Sequence, residues 1–237
     1  MAAGDEGRAF VDLHCHTRAS FDSLADPRVV VRAAAGRGLT HLAITDHDRI
    51  DAALEGRSAA PAGLQVIVGE EIRSTDGDMV ALFLERAIAP GLSALETIAA
   101  VREQGGLVGI PHPFDRFRRF ARREHELERI AGQIDWVEAY NARVLGGRAN
   151  EEAALFARER HLAGVAVSDA HTVMEVGVAY TILRGDPSTP EGMLAALAGT
   201  IELTPGRATY LVRGMSPVAK ILQRLRGNGR VRPGAVA

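Results

Sequence analysis

Short apolar runs recur along the chain at residues 10–13, 42–45, 65–68, 79–84, 107–110, 136–139 and 164–167. Each has the length of a buried strand, and most are separated by helix-length segments with their own start and stop signals. Asp26-Pro27 reads as an N-cap followed by proline at the first helical position, opening a helix that the glycines at 36 and 38 end. Ser93 with Glu96 forms a capping-box pattern, and Gly105-Gly106 stops that helix before the next strand. Asn150 is placed to cap a helix from Glu151 to about His161, and Ser188 with Glu191 to box the one containing Met193. The exception to the alternation is residues 71–84, where Ser74-Thr75-Asp76-Gly77-Asp78 predicts a tight turn between two strands.

Strand-helix alternation predicts parallel strands, because a parallel connection must cross over, and so an α/β fold with helices outside the sheet. No internal repeat or linker interrupts it before Thr204. The simplest division is one domain over 1–203 and a C-terminal extension over 204–237.

With 237 residues, 46% of them hydrophobic, the chain has enough apolar material for a barrel-sized core. No run reaches the eighteen or so apolar residues of a membrane span, and the charged first ten residues lack a signal core. These features predict a cytoplasmic protein with no membrane span. Cys15 is the single cysteine, so no internal disulfide forms; it reads as a small buried residue. The net charge of −2 hides an asymmetry, since nothing after Gly206 is acidic while Arg207, Arg213, Lys220, Arg224, Arg226, Arg230 and Arg232 are basic. Such an extension either stays solvated or meets nucleic acid, an anionic partner or a membrane surface.

The ends of the apolar runs carry the chemistry. His14-Cys15-His16 follows the first run, and side chains at i and i+2 of an extended segment project to one side, where two imidazoles reach one cation. Thr45-Asp46-His47-Asp48, Glu70-Glu71, Pro111-His112-Pro113 and Ser168-Asp169-Ala170-His171 repeat the design: apolar run, then histidine or carboxylate. Metal-grade side chains at the carboxyl ends of successive strands build a site on one rim.

In the order and content of these motifs, residues 11–180 resemble the PHP family, named after polymerase and histidinol phosphatase. Val137-Glu138-Ala139-Tyr140-Asn141 and Ser168-Asp169-Ala170-His171-Thr172 are similar to its small stand-alone phosphoesterase branch with a PHP-associated C-terminal segment. The resemblance implies a distorted seven-stranded β/α barrel, (β/α)7, with two or three metal ions at the C-terminal strand ends. Eight ligand positions carry over: His14, His16, Asp22, His47, Glu71, His112, Asp169 and His171. Asp46 is expected to orient His47, and Glu70 to support the site or form a salt bridge. The family's ninth ligand has no clear counterpart. His125 and His161 read as surface histidines; Glu138 and Asn141 read either as partial replacements or as a capping and turn pair.

A mixed imidazole and carboxylate set favours manganese, iron or zinc over magnesium or calcium. Two such ions clamp a phosphate ester and bring a bridging water near its pKa, giving a hydroxide nucleophile, with His47 or His171 assigned to the leaving oxygen. The stretch from Asp115 to Arg123 supplies arginines. Arg116, then Arg143 and Arg148, are the candidates for the phosphate, and the remaining arginines read as a solvated helix face paired with Glu124, Glu126 and Glu128. The expected function is hydrolysis of a phosphomonoester of a small metabolite or nucleotide, releasing phosphate. The alternatives are a phosphodiesterase or exonuclease on single-stranded nucleic acid, with an oligonucleotide as partner, and a non-catalytic metal-binding domain. The sequence leaves the oligomeric state open.

Overall fold

The structure is a computed structural model that describes residues 7–118, 120–209, 212 and 214–233; Arg119 and Arg213 lie outside the described residues. In chain order the elements are β1 (Arg8–Asp12), α1 (Pro27–Gly36), β2 (His41–Ile44), α2 (Asp51–Ser58), β3 (Gln65–Arg73), β4 (Asp78–Leu82), α3 (Ala94–Arg102) and β5 (Leu107–Ile110). They continue with α4 (Glu124–Ile130), β6 (Trp136–Asn141), α5 (Arg148–Glu159), β7 (Ala163–Val167), β8 (Tyr180–Arg184), α6 (Pro190–Leu197), β9 (Glu202–Thr204) and α7 (Met215–Leu225).

The strands form a sheet in the order β7-β6-β5-β4-β3-β2-β1-β8-β9. Within β1–β7 the neighbours are parallel except around β4, which pairs antiparallel with both β3 and β5. The expected turn at 74–78 therefore exists, and Ser74 Oγ donates to Gly77 O to hold it (2.6 Å). The sheet curls into a nearly closed, distorted barrel. At the seam, Thr181 Oγ1 of β8 accepts from Ala166 N (2.8 Å) and donates to Ala166 O (2.9 Å) of β7. At the C-terminal rim, His16 N donates to Ala170 O (2.7 Å), and Asp12 accepts from Ser168 N (3.0 Å) and Gly177 N (3.1 Å).

One buried cluster fills the barrel, including Val11, Ala43, Ile67, Trp136, Val165 and Val167; another lies between the strands and the outer helices, including Val30, Leu42, Ile44, Ile98 and Phe156. Trp136 needs Gly109 opposite it, because a β-carbon there would fall 1.9 Å from the indole. The inward face continues upward to the site. Glu71 lies four residues beyond Ile67, Glu138 two beyond Trp136 and Asp169 two beyond Val167, so strand alternation aims each at the barrel mouth. Cys15 is fully buried in the outer cluster, on the side away from the two histidines, as expected of it.

Asp26 caps α1 by accepting from Arg28 N (2.9 Å), and Ser93 and Glu96 form a full capping box on α3. Two expected caps are corrected. Helix α5 starts at Arg148, because the Asn150 amide instead bonds Asn141 N (3.1 Å) and Asn141 O (3.2 Å), tying the helix to the end of β6. Helix α6 is capped by Thr189, while Ser188 Oγ donates to Asp186 (2.5 Å).

The arginine-rich stretch is also corrected. Residues 116–118 form turns, Arg118 pairs with Asp78 (3.1 Å), and Arg123 pairs with Asp76 (3.5 Å). Glu126 and Glu128 pair instead with Arg129 (2.6 Å) and Arg160 (2.6 Å). Strands β8 and β9 were not among the expected runs: β8 alternates in burial but puts the polar Thr181 inside, and β9 is three residues long and mostly exposed.

The segment after Thr204 is folded onto the barrel mouth. Helix α7 buries Gln223, whose Nε2 lies within hydrogen-bond distance of three carbonyls of the 18–23 loop: Arg18 (2.6 Å), Ser20 (3.1 Å) and Ser23 (2.7 Å). Asn228 Nδ2 donates to Arg18 O (3.0 Å) and Ala19 O (3.1 Å), and Val231 O accepts from Arg73 (2.8 Å). No helix among the described residues is long and apolar enough to cross a membrane.

Candidate metal centre

All eight expected ligands converge at the C-terminal rim. His14 and His16, just past β1, bring their Nε2 atoms to 2.9 Å from each other. Glu71 Oε2 lies 3.5 Å from His14 Nε2, 3.3 Å from His16 Nε2 and 3.0 Å from His47 Nδ1, while its Oε1 lies 3.3 Å from His112 Nε2. Asp169 Oδ1 lies 3.7 Å from His14 Nε2 and 3.4 Å from His16 Nε2. Asp22 Oδ1 joins the far side, 3.4 Å from His47 Nε2 and 3.5 Å from His171 Nε2. The resulting groups include His14, His16 and Asp169 on one side and His16, His47 and His171 on the other, every one of them buried.

These atoms fit a cation. Asp22 Oδ1, both oxygens of Glu71, Asp169 Oδ1 and both ring nitrogens of His112 are buried without a hydrogen-bond partner. Buried carboxylates without partners are costly, so several on one point indicate a missing positive charge. The field has the same sign. Burial opposes a charge on His47, yet the Glu71 and Asp22 carboxylates push its pKa up to about 10. Burial likewise works against a charged His14, and Asp169 and Glu138 raise it well above the ordinary range. His112 (φ 31°) and Asp169 (φ 50°) hold left-handed backbone, a strain of about 1–3 kcal/mol each that packed surroundings must sustain.

Around this centre lie side chains that position it. Glu138 Oε1 lies 2.6 Å from His14 Nδ1, and Glu138 Oε2 accepts from His112 N (2.8 Å) and Asn141 Nδ2 (2.8 Å). Asn141 Nδ2 also donates to Asp169 Oδ2 (3.1 Å). Both residues are therefore engaged with the other site residues through their own polar atoms.

Asp46 acts differently from expectation. Its oxygens accept from Thr17 N (2.7 Å), Thr17 Oγ1 (2.6 Å), Ser20 N (3.1 Å) and Ser20 Oγ (2.6 Å). Ser20 Oγ in turn lies 3.0 Å from His16 Nδ1, so Asp46 orients His16 through Ser20 instead of the His47 ring. The turn at 17–20 folds back over the end of β2, which places Asp46 under that loop. Glu70 points to the opposite face of β3 from Glu71 and accepts from Ile88 N (2.8 Å).

The cations are also redistributed. Arg116 lies over the Phe117 ring (4.7 Å), and Arg148 is exposed and paired with Glu152. Arg143 is held by Glu175 (2.5 Å) and Ser216 (3.0 Å). Arg118, paired with Asp78 (3.1 Å), lies in the field of the centre: burial disfavours its charge, but Glu71, Asp78 and Asp169 raise its pKa above the ordinary range. From α7, Lys220 Nζ stands 4.0 Å from Asp22 Oδ2, and Arg230 lies over Phe21 (4.2 Å), whose ring stacks on His47 (4.7 Å).

Sequence reasoning missed Ser20, Glu175 and Gln223. Glu175, fully internal, accepts from His171 N (3.0 Å) and fixes the loop that carries that histidine. Its position four residues after His171 was the available signal; Gln223 had none.

The PHP domain family matches residues 12–161, and the PHP-associated family matches 147–199. An uncharacterized protein of Methanocaldococcus jannaschii is 32% identical over 211 residues, 85% of this chain and 84% of its own length. Another from the same organism is 36% identical over 143 residues, 55% of this chain and 81% of its own. Among solved structures, a two-domain protein of Bacteroides vulgatus containing a predicted PHP-like metal-dependent phosphoesterase superposes with a TM-score of 0.70 at 20% identity. That match covers 84% of this chain and 65% of the other. A lesion-specific endonuclease of Pyrococcus furiosus gives 0.64 at 18% identity, covering 83% of this chain and 57% of that one. With most of its length matched in sequence and the barrel reproduced in structure, this chain belongs to the PHP family.

Proposed function

We propose that this chain, a metal-dependent hydrolase of phosphoric esters by family, acts on a phosphomonoester of a small metabolite or nucleotide and releases inorganic phosphate. The observation that carries the reading is the set of buried polar atoms without hydrogen-bond partners on Asp22, Glu71, His112 and Asp169, gathered with the histidines at the C-terminal rim. His14, His16, Glu71 and Asp169 would hold one ion, Glu71 with His112 a second, and Asp22, His47 and His171 a third. Bound there, divalent ions of the manganese, iron or zinc type supply Lewis acidity toward a phosphoryl oxygen and lower the pKa of water.

The remaining roles fall to the chain. Glu71 presents one oxygen to His112 and the other to His14, His16 and His47, the placement a bridging carboxylate needs. Arg118, held by Asp78 in the field of Glu71 and Asp169, joins Arg116 and Arg143, which line one cavity, as a guanidinium for a phosphate oxygen, and Lys220 stands by Asp22. Arg143 serves by fixing Glu175, and through it the His171 loop. With that third ion unbound, His47 or His171, flanking Asp22, is the group available to a leaving oxygen. A purely structural ion would need about four ligands, half of what converges here.

Phosphate release from a panel of phosphomonoesters, alongside a phosphodiester and single-stranded oligonucleotides, tests the substrate class. Turnover confined to monoesters and lost in His14→Ala supports it. Cleavage of oligonucleotides alone, or no turnover by folded, metal-bound protein, overturns it in favour of a nuclease or a binding domain.

A further inference from the structure

A cavity of about 340 Å³ opens directly beside the centre, between α7, the loop after His171 and the loop after Asp22. Asp22 and His171 form its inner wall, and Leu24, Met174, Met215 and Val218 form much of the rest. Its size lies within the roughly 300–1,000 Å³ of small-molecule sites. Its two hydroxyl groups are already engaged: Thr172 Oγ1 donates to Glu175 (3.1 Å), and Ser216 Oγ accepts from Arg143 (3.0 Å). The rest of the outer wall is aliphatic, so it offers an organic group contact and dehydration with little polar readout.

We propose that this cavity binds the organic part of the substrate, and that this part is apolar, an aryl or branched alkyl group carried on the ester oxygen. The inference rests on the phosphomonoesterase reading for where the phosphate sits. Asp22 and His171 belong both to the centre and to the cavity, so an ester whose phosphate lies at the centre has its leaving group at the cavity's inner wall. A sugar or polyol there would lose its water and regain at most one or two of its several hydrogen bonds, from Thr172 and Ser216. An apolar group loses nothing and gains contact with two methionines, whose side chains adapt to its shape.

The test compares 2-naphthyl phosphate with glycerol 1-phosphate on the metal-reconstituted full chain, and separately measures binding of 2-naphthol by its fluorescence, which needs no turnover. The expected kcat/KM favours the naphthyl ester by about tenfold or more. Val218→Asp on α7 and Met174→Asp on the opposite wall each lower that ratio at least about tenfold and abolish 2-naphthol binding. Naphthol binding lost in both variants, with no phosphate released from any ester, leaves the cavity assignment standing and removes the phosphomonoesterase reading. Ester turnover with no naphthyl preference and no naphthol binding removes the cavity assignment and leaves the reading intact. A dimer seen by sedimentation, dissociated by Val218→Asp and unable to bind naphthol, would assign the cavity to a second copy and also overturn the proposal.

Discussion

Glu138 and His14 face each other at 2.6 Å, Oε1 to Nδ1, beneath the rim of the barrel. The contact fixes which ring nitrogen of His14 is turned to Glu71 and Asp169, and the other oxygen of Glu138 holds the His112 backbone. Glu138 is therefore the support for two ligand positions at once. Carboxylates that orient ligating imidazoles are typically worth about 10–100-fold in metal affinity. Glu138→Gln should lose metal affinity in that range with little change in melting temperature of the metal-free protein. Calorimetric metal titration checks it; unaltered affinity would mean His14 is held by packing alone.

Asp46 holds the 17–20 turn through four acceptor contacts and reaches His16 through Ser20. Asp46→Ala strands the Thr17 and Ser20 donors in the interior, at a cost of about 2–4 kcal/mol. Urea denaturation should show that loss together with weakened metal binding. Ser20→Ala should weaken metal binding with a smaller stability loss, because it removes the relay and the acceptor of His47 N but leaves Asp46 its contacts with Thr17 and Ser20 N.

How much of this was legible in the chain depends on the distance over which each feature is set. Strands β1–β7 and the capping of α1 and α3 follow from local periodicity and cap chemistry, and Glu71, Glu138 and Asp169 inherit their direction from apolar residues deeper in the same strand. The eight converging ligands were legible because each sits at the end of its own run. Asp46 was misassigned because its partner is chosen by a loop folding back across the strand end. The pairing of Arg118 with the hairpin residue Asp78, forty positions away, could not be read from the run of arginines. Gln223 lies some two hundred residues from the carbonyls it serves, and no spacing announces that.

Gln223 is buried and its amide lies against the Arg18, Ser20 and Ser23 carbonyls, on the loop that carries Asp22. Gln223→Ala should cost about 1–3 kcal/mol, the range for leaving buried acceptors unpaired. It should also loosen the 18–23 backbone, read as faster amide exchange there than in α1. Unchanged exchange would show that the loop holds itself.

Glu70 gives a pH signature. Burial pushes its pKa from 4.5 up to about 8 in the folded protein. The folded state thus keeps a proton that the unfolded chain releases, and the contribution of Glu70 to stability falls as pH rises from 4.5 to about 8. Glu70→Gln removes this titration. The unfolding free energy of the variant relative to the parent should rise between about pH 5 and pH 8, measured by paired urea titrations. A difference that stays flat would place Glu70 in a solvated or charge-paired environment.

The central claim is that Glu71 and its neighbours hold more than one ion and that these ions make the centre a phosphoesterase. The most direct measurement is a manganese titration of metal-stripped protein, with bound ion and phosphate release from one monoester read on the same samples, for the parent and for Glu71→Gln. The account predicts at least two ions bound per chain, release rising with occupancy, and Glu71→Gln losing both together. Release without metal, or full manganese binding and turnover in Glu71→Gln, would contradict it.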